Sequence, residues 1–498
     1  MIKTYALITF LVCVLSSTSS AYQLIGTAAL SEELIVQHYT INPRLDAVIV
    51  VDRTTPTFEY QTFYCAGSAD EEEGKQGRLH FLEHIMAGTG SHEYGKLNQI
   101  IVENGGQRNA FTSTHYTHFI LRFPKDKLDL AVEIDSERYY NTMINEEVIE
   151  KEKKIVLTER SRSLPNLTRR FTNYFFSLIY KKKNFNTLGT EDFIKQLEPV
   201  GLKAYYENFL RHQKRLVVVI GDVDIDHVLT KLDEAYGNEQ IPGELSGKFQ
   251  ASQFPNPEIL GRQFKITSKN LSISKFRKSW YTPSLGHRDY AGLLILTTIL
   301  NKTANSLTSY IVDSELARIF ILGLSHYKGF GLISCLADLW HDTSSDAIQA
   351  IIRVELEKLK SISEDELDAS RNELLHSMYS EFYDRSSMAD SFGRAFAHAN
   401  DPLLYPKLLK NIKSIHREDI PRIIDQYLTD DNSITLSLTL PTQEKSSLNK
   451  NLILRTPLHY GIMILIFAGF LTLLVWGGKK LHRKFSRKAN EYVSESDT

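Results

Sequence analysis

Five consecutive residues, His80-Phe81-Leu82-Glu83-His84, set the strongest condition on how this chain folds. Two histidines four residues apart face one point in space only if the backbone between them is helical. A helix is expected from about Gln76 to Met86, with Leu79, Leu82, Ile85 and Met86 as its apolar face. On such a helix two imidazole nitrogens can meet one metal ion at ~2.0–2.1 Å. Glu83 stands beside the same face, within reach of a metal's water without being a ligand, which is the inverted H-x-x-E-H arrangement. A surface helix that merely carries two histidines has the same pentapeptide, so the motif needs support from elsewhere in the chain.

Two nitrogens leave zinc short of donors, because a catalytic site takes three protein ligands and keeps one open position. The missing donor is expected to be a carboxylate from another element. The helical pattern from Glu146 to about Arg162 offers Glu152 and Glu159, about two turns apart on one face. One of them can bind metal while the other orients a histidine or supports the site electrostatically. The three cysteines, Cys13, Cys65 and Cys335, are too few for a thiolate zinc site and make no disulfide framework. Cys65 and Cys335 read as buried thiols in strands.

At 498 residues the chain exceeds the ~100–200 residues of an ordinary domain. With 42% hydrophobic and 24% charged residues it has material for packed cores. A formal net charge of −2 gives no electrostatic reason to expect a nucleic-acid partner. Strands are expected at Ala47–Val51, Phe58–Cys65, Arg108–Thr112, Tyr116–Phe123 and Leu216–Gly221. Helices are expected to end at Asn104-Gly105-Gly106 and to run over Lys125–Tyr140. A linker reads at 241–262, which holds Pro242, Gly243, Gly247, Pro255, Pro257 and Gly261. After it the mixed pattern restarts with a strand, then a helix from about Asp289 to Leu300, a strand near Gly331–Cys335 and helices to about Tyr427. The fold class is α+β. Two similar domains are expected, 22–240 and 263–445, each with helices packed on a largely antiparallel sheet.

The two ends read as membrane-directed. Lys3, the apolar run Tyr5–Leu15 and the small residues Ser16–Ala21 have the layout of a signal peptide over 1–21, with cleavage near Ala21. The other reading, an uncleaved anchor, needs ~20 apolar residues, and this run is shorter. Gly461–Gly478 contains no charge and as a helix is ~27 Å long. A transmembrane helix is therefore expected over 460–478, with Tyr460 and Trp476 at the interfaces. The basic tail 479–498 that follows would stay in the cytoplasm, which puts the body of the chain outside it, on the periplasmic side of the inner membrane if the cell is bacterial.

The residues also match a known pattern. Gly67–Thr89, which contains the pentapeptide, Asn104-Gly105-Gly106-Gln107-Arg108-Asn109-Ala110-Phe111-Thr112, Glu152–Glu159, Gly189–Leu197 and Leu216–Asp222 occur in the order seen in one family. The chain resembles the pitrilysin/insulinase-type zinc metallopeptidases, in particular their shorter, processing-peptidase-like branch. The resemblance covers roughly residues 30–440 and is strongest up to about 225. It implies one zinc per chain, bound by His80, His84 and Glu159, with Glu83 as the catalytic base and Glu152 as the supporting carboxylate. It implies that Asn109, Ala110 and Phe111 lie on an edge strand to which a peptide or an unfolded segment adds. It also implies a tyrosine and an arginine from the second half that hold substrate, for which no positions stand out. The family encloses its site with four domains, and two are present here. A partner is therefore expected, giving a homodimer or a heterodimer with a related chain. The activity that follows is that of a membrane-anchored endopeptidase. The alternative is a catalytically inactive relative serving as a partner or scaffold subunit, and such relatives typically lose residues that are all present here. A metal-buffering protein would have no need of Glu83 or of the neighbouring strand.

Overall fold

The computed structural model describes residues 22–440, except 89–95, 184, 240–255, 270, 272, 302–305 and 341–342. The expected leader, transmembrane helix and basic tail lie outside the described residues, as does most of the expected linker. Among the described residues no helix is long and apolar enough to cross a membrane.

The first sheet is built from β1 (Gln23–Ala29), β2 (Ile35–Asn42), β3 (Leu45–Val51), β4 (Thr57–Tyr64), β5 (Gln107–Thr112), β6 (Thr117–Pro124) and β7 (Arg215–Gly221). Their order is β1-β2-β3-β7-β4-β6-β5, and every neighbouring pair is antiparallel except β3 with β7. The second sheet holds β8 (Gln263–Thr267), β9 (Ser274–Thr282), β10 (Ala317–Tyr327), β11 (Phe330–Leu339) and β12 (Ser433–Thr439). Its order is β10-β11-β9-β12-β8, with β8 and β12 the parallel pair. Read from the parallel pair outwards, β8-β12-β9-β11-β10 repeats β3-β7-β4-β6-β5 strand for strand. The chain is thus a mixed α/β fold of two related halves with one sheet each, and the expected antiparallel character holds in both sheets.

Alternation along the strands sends side chains to opposite faces. In the first sheet Ala47, Ile49, Tyr60, Tyr64, Val217 and Val219 pack with the helices of their own half. Val48, Val50, Phe63, Leu216, Val218 and Ile220 point the other way and join a core made mostly of second-half residues. The helix Arg385–Ala399 lies there, and Gly393 sits so close to Phe63 that an added Cβ would lie 2.1 Å from the ring. The second sheet mirrors this. Its Tyr281, Leu332, Ile434 and Leu436 pack against Phe171, Phe175 and Ile179 from the first-half helix Leu167–Ile179. Each half lends one helix to the sheet of the other. Arg385 secures the exchange from one end, donating to the Asp52 carboxylate at 2.6 Å and to the carbonyls of Asp52 and Thr57 at 2.8 and 2.7 Å. Cys335 is buried in β11 and Cys65 follows β4, both as free thiols.

Candidate metal centre

The pentapeptide lies on the helix Arg78–Gly88, in which Leu79, Phe81, Leu82, Ile85 and Met86 are all fully buried. The start of this helix is fixed by a buried carboxylate. Glu71 accepts from the backbone N–H groups of Gly77 at 2.8 Å and Leu79 at 2.7 Å, which supplies two donors that a helix N-terminus leaves unpaired. Burial pushes the Glu71 carboxyl up to about 7, against the pull of those two hydrogen bonds. Gly77 has φ 98° and abuts Gly189, so that a Cβ on it would lie 2.7 Å from the Gly189 Cα. Arg160 donates to the Gly189 carbonyl at 2.8 Å. A continuous run of contacts, Gly77 to Gly189 to Arg160, therefore sets the helix bearing the histidines against the helix bearing Glu159.

That second helix runs over Glu146–Ser163 and is capped by the Asn145 side chain. Val148, Ile149 and Val156 anchor it, and Glu152 and Glu159 share the face towards the histidines. Glu159 Oε2 lies 3.5 Å from His80 Nε2 and 3.5 Å from His84 Nε2. Among the described residues His80, His84 and Glu159 are the one set of three such side chains whose ligand atoms lie within 4.8 Å of one another. A spacing of 3.5 Å is a weak hydrogen bond at most, and it also suits ligands that each stand ~2.0–2.1 Å from one shared ion. Two imidazole nitrogens and a carboxylate oxygen form a donor set that fits zinc. Glu152 is buried and its Oε2 is 3.1 Å from His84 Nδ1, which fixes the ring's orientation and turns Nε2 towards Glu159.

The electrostatics follow from this packing. Burial pulls His80 down to about 4, helped by the charge on His84. Burial also works against charge on His84, but hydrogen bonds to Glu152 and Glu159 outweigh it and raise that ring to about 10. The hydrogen bond to His84 holds Glu159 below the usual carboxylate range. Burial pushes Glu83 up to about 7, against the pull of His84. Thr112 Oγ1 donates to Glu83 Oε2 at 3.3 Å and so joins the end of β5 to the pentapeptide.

Asn109, Ala110 and Phe111 lie in β5, the last strand of its sheet. One side of β5 pairs with β6, and no described strand pairs with the other. Phe111 is held edge-on by Tyr116 and His118, with ring centroids 6.1 and 4.7 Å away. Sequence reasoning missed Glu71, Thr112 and the Gly77–Gly189–Arg160 contacts. Glu71 sits in the acidic run Asp70–Glu73, which reads as a solvated turn until its burial is known.

Residues 47–188 match the insulinase family (peptidase family M16), and residues 201–374 match the peptidase M16 inactive domain. The human mitochondrial-processing peptidase subunit beta is 25% identical over 380 residues, covering 73% of this chain and 76% of that one. The zinc protease PqqE of Helicobacter pylori is 23% identical over 430 residues, covering 83% of this chain and 95% of its own. Among solved structures, a protease from Helicobacter pylori superposes with a TM-score of 0.73 at 22% identity, covering 81% of this chain and 99% of that one. The periplasmic protease PqqL of Escherichia coli gives a TM-score of 0.64 at 16% identity, over 86% of this chain but 50% of its own length.

Proposed function

The chain belongs to the insulinase family, peptidase family M16, and on that premise we propose that it is a zinc-dependent endopeptidase. His80, His84 and Glu159 would hold one zinc ion per chain, and the observation that carries this reading is the convergence of their three ligand atoms. Zinc in such a site supplies a Lewis acid that activates water and polarises a carbonyl. The remaining work falls to the chain's own residues. Glu83 takes the proton of the attacking water at its carboxylate and hands it to the departing amine, a task suited to a group held near neutrality. Thr112 keeps that carboxylate turned towards the substrate strand, and Glu152 keeps His84 in its orientation. A peptide or an unfolded segment adds alongside Asn109, Ala110 and Phe111, held by its backbone.

Two features of the surroundings belong to the same reading. A second related chain, identical or not, completes the enclosure, as supported by the Escherichia coli protease, of which this chain matches only 50%. The apolar stretch Gly461–Gly478 and the basic residues after it anchor the body to the outer face of a membrane.

Full-length protein and its Glu83→Gln variant, each assayed for metal content and peptide cleavage, test the proposal. Zinc is expected in both and cleavage in the unmodified chain alone, with a loss of about a thousandfold or more in the variant. Absence of zinc from both would remove the centre, and equal cleavage by both would remove Glu83 from the chemistry.

A further inference from the structure

Alternation divides the side chains of β5 between two faces. Thr112 is on the face towards the helix Arg78–Gly88, since its Oγ1 donates to Glu83, and Ala110 packs against the core that contains that helix. Arg108, two residues before Ala110, shares this face. It is exposed, and its guanidinium reaches across to the same helix. Nη1 donates to the Ala87 carbonyl at 2.7 Å, and Nε donates to Asn98 Oδ1 at 3.2 Å. Ala87 stands less than one turn beyond His84, among the last carbonyls of the helix, where a cation is well placed. One side chain thus ties the edge strand to the end of the helix that bears both histidines. Both acceptors are neutral amide oxygens, so the guanidinium is held in place without its charge being cancelled by them.

A segment that adds to β5 sets its own side chains opposite those of the strand, with Cβ atoms ~4.5–5.5 Å apart. At ~3.3–3.4 Å per residue, Arg108 lies ~13 Å along the strand from Thr112, the residue that touches Glu83. A cation is therefore fixed beside the path of the segment, a few residues from the bond under attack. Opposite charges directly across two strands attract and like charges repel. The planar fork of a guanidinium also matches a carboxylate in two parallel hydrogen bonds.

We propose that Arg108 selects substrates by pairing across the strand with an aspartate or glutamate of the bound segment, within four residues of the scissile bond. The assignment rests on the reading of the centre as a peptidase site that takes its substrate along β5. Because side chains alternate, the preference is confined to one side of the bond, at one position or at two positions spaced two residues apart.

A C-terminally amidated peptide cut by the full-length protein is resynthesised with Glu, Gln or Lys at each of the four positions on either side of the bond. At the selected position Glu is expected to raise kcat/KM about fivefold over Gln, and Lys to lower it, with no such order at the immediate neighbours. Arg108→Glu is expected to invert the order while the protein still binds zinc, and Arg108→Lys to keep it. Fluorescence anisotropy with the Glu83→Gln variant should give the same order of peptide affinities without turnover, and Arg108→Glu on that background should invert it too. If Arg108→Gln changes the Glu, Gln and Lys peptides by one common factor, Arg108 only secures the helix end and the proposal is overturned. Cleavage that ignores charge at every position, or a preference spread over adjacent positions, overturns this role of Arg108 and leaves the peptidase reading standing. Failure to cleave any peptide overturns both.

Discussion

Glu315 holds φ at 54°, in the turn between the helix Leu307–Asp313 and β10. A side chain with a Cβ pays roughly 1–2 kcal/mol for that left-handed conformation, which glycine adopts freely. Glu315 is exposed, and among the described residues its side chain makes no hydrogen bond or ion pair. Glu315→Gly is therefore expected to raise stability by about 1 kcal/mol, after allowance for the greater freedom of the unfolded glycine. A urea titration would show this as a higher midpoint at unchanged slope. At this scale the sequence was legible where the geometry is local. The spacing of His80 and His84 defines one helical face whatever surrounds it, and the phasing of Glu152 and Glu159 does the same. Glu71 was not legible. What it does depends on which groups the fold brings near it, and a charged side chain beside other charged residues reads as solvated surface.

The helix Arg78–Gly88 depends on its cap more than most, because it carries nearly all of the pentapeptide chemistry and is buried on most of its surface. Glu71→Ala leaves the Gly77 and Leu79 N–H groups buried and unpaired. A loss of about 2–3 kcal/mol in stability is expected, together with weaker zinc binding, since the first turn bears His80. Glu71→Gln, which keeps one acceptor, should fall between. Thermal melting and a competition titration against a zinc chelator measure the two effects. The apolar strands β3, β4, β6 and β7 were legible from hydrophobic runs alone. The central strand β9 was legible only as a strand without bounds ahead of the helix near Asp289, because Lys275, Arg277 and Lys278 interrupt its pattern although all three are buried. Lys275 pairs with Asp338, Lys278 with Asp430, and the Arg277 guanidinium lies 3.7 Å above the Phe175 ring. These partners come from β11, from just before β12 and from the other half of the chain, so no local window contains the reason for the strand. The helix Leu167–Ile179 escaped for a related cause. Its aromatic face is complementary to a sheet about a hundred residues further on.

Between the two halves lie three histidines from three elements. His115 follows β5, His326 is in β10 and His398 is in the helix Arg385–Ala399. The His398 ring stands 5.5 Å from that of His115 and 4.9 Å from that of His326. Tyr180 meets His115 Nε2 at 2.9 Å and Tyr290 meets His326 Nδ1 at 3.0 Å. Among the described residues the other nitrogens of these two rings, and Nδ1 of His398, are buried without a partner. Burial, and then the neighbouring charges of Lys182, Lys328 and Arg394, hold all three rings below the ordinary histidine value, His398 at about 3. Rings whose affinity for protons is lower in the folded state stabilise it fully above the unfolded value of ~6.5. They lose that contribution as the pH falls towards their folded values. Stability is expected to fall below pH ~6.5 by up to about 1.4 kcal/mol per pH unit for each ring that stays neutral in the folded state. Urea midpoints measured from pH 7 to 4 should flatten when the three are replaced together by Gln, and an unchanged slope would refute the account. The exchanged helices carry a further consequence, one of time. Synthesis runs from the N-terminus, so the strands that hold Val48, Val50 and Phe63 emerge long before the helix that ends at Ala399 and covers them. For most of translation the half that bears the candidate metal centre has one bare apolar sheet face, and a ribosome stalled before that helix would present a sticky, unfinished surface to the cell's chaperones.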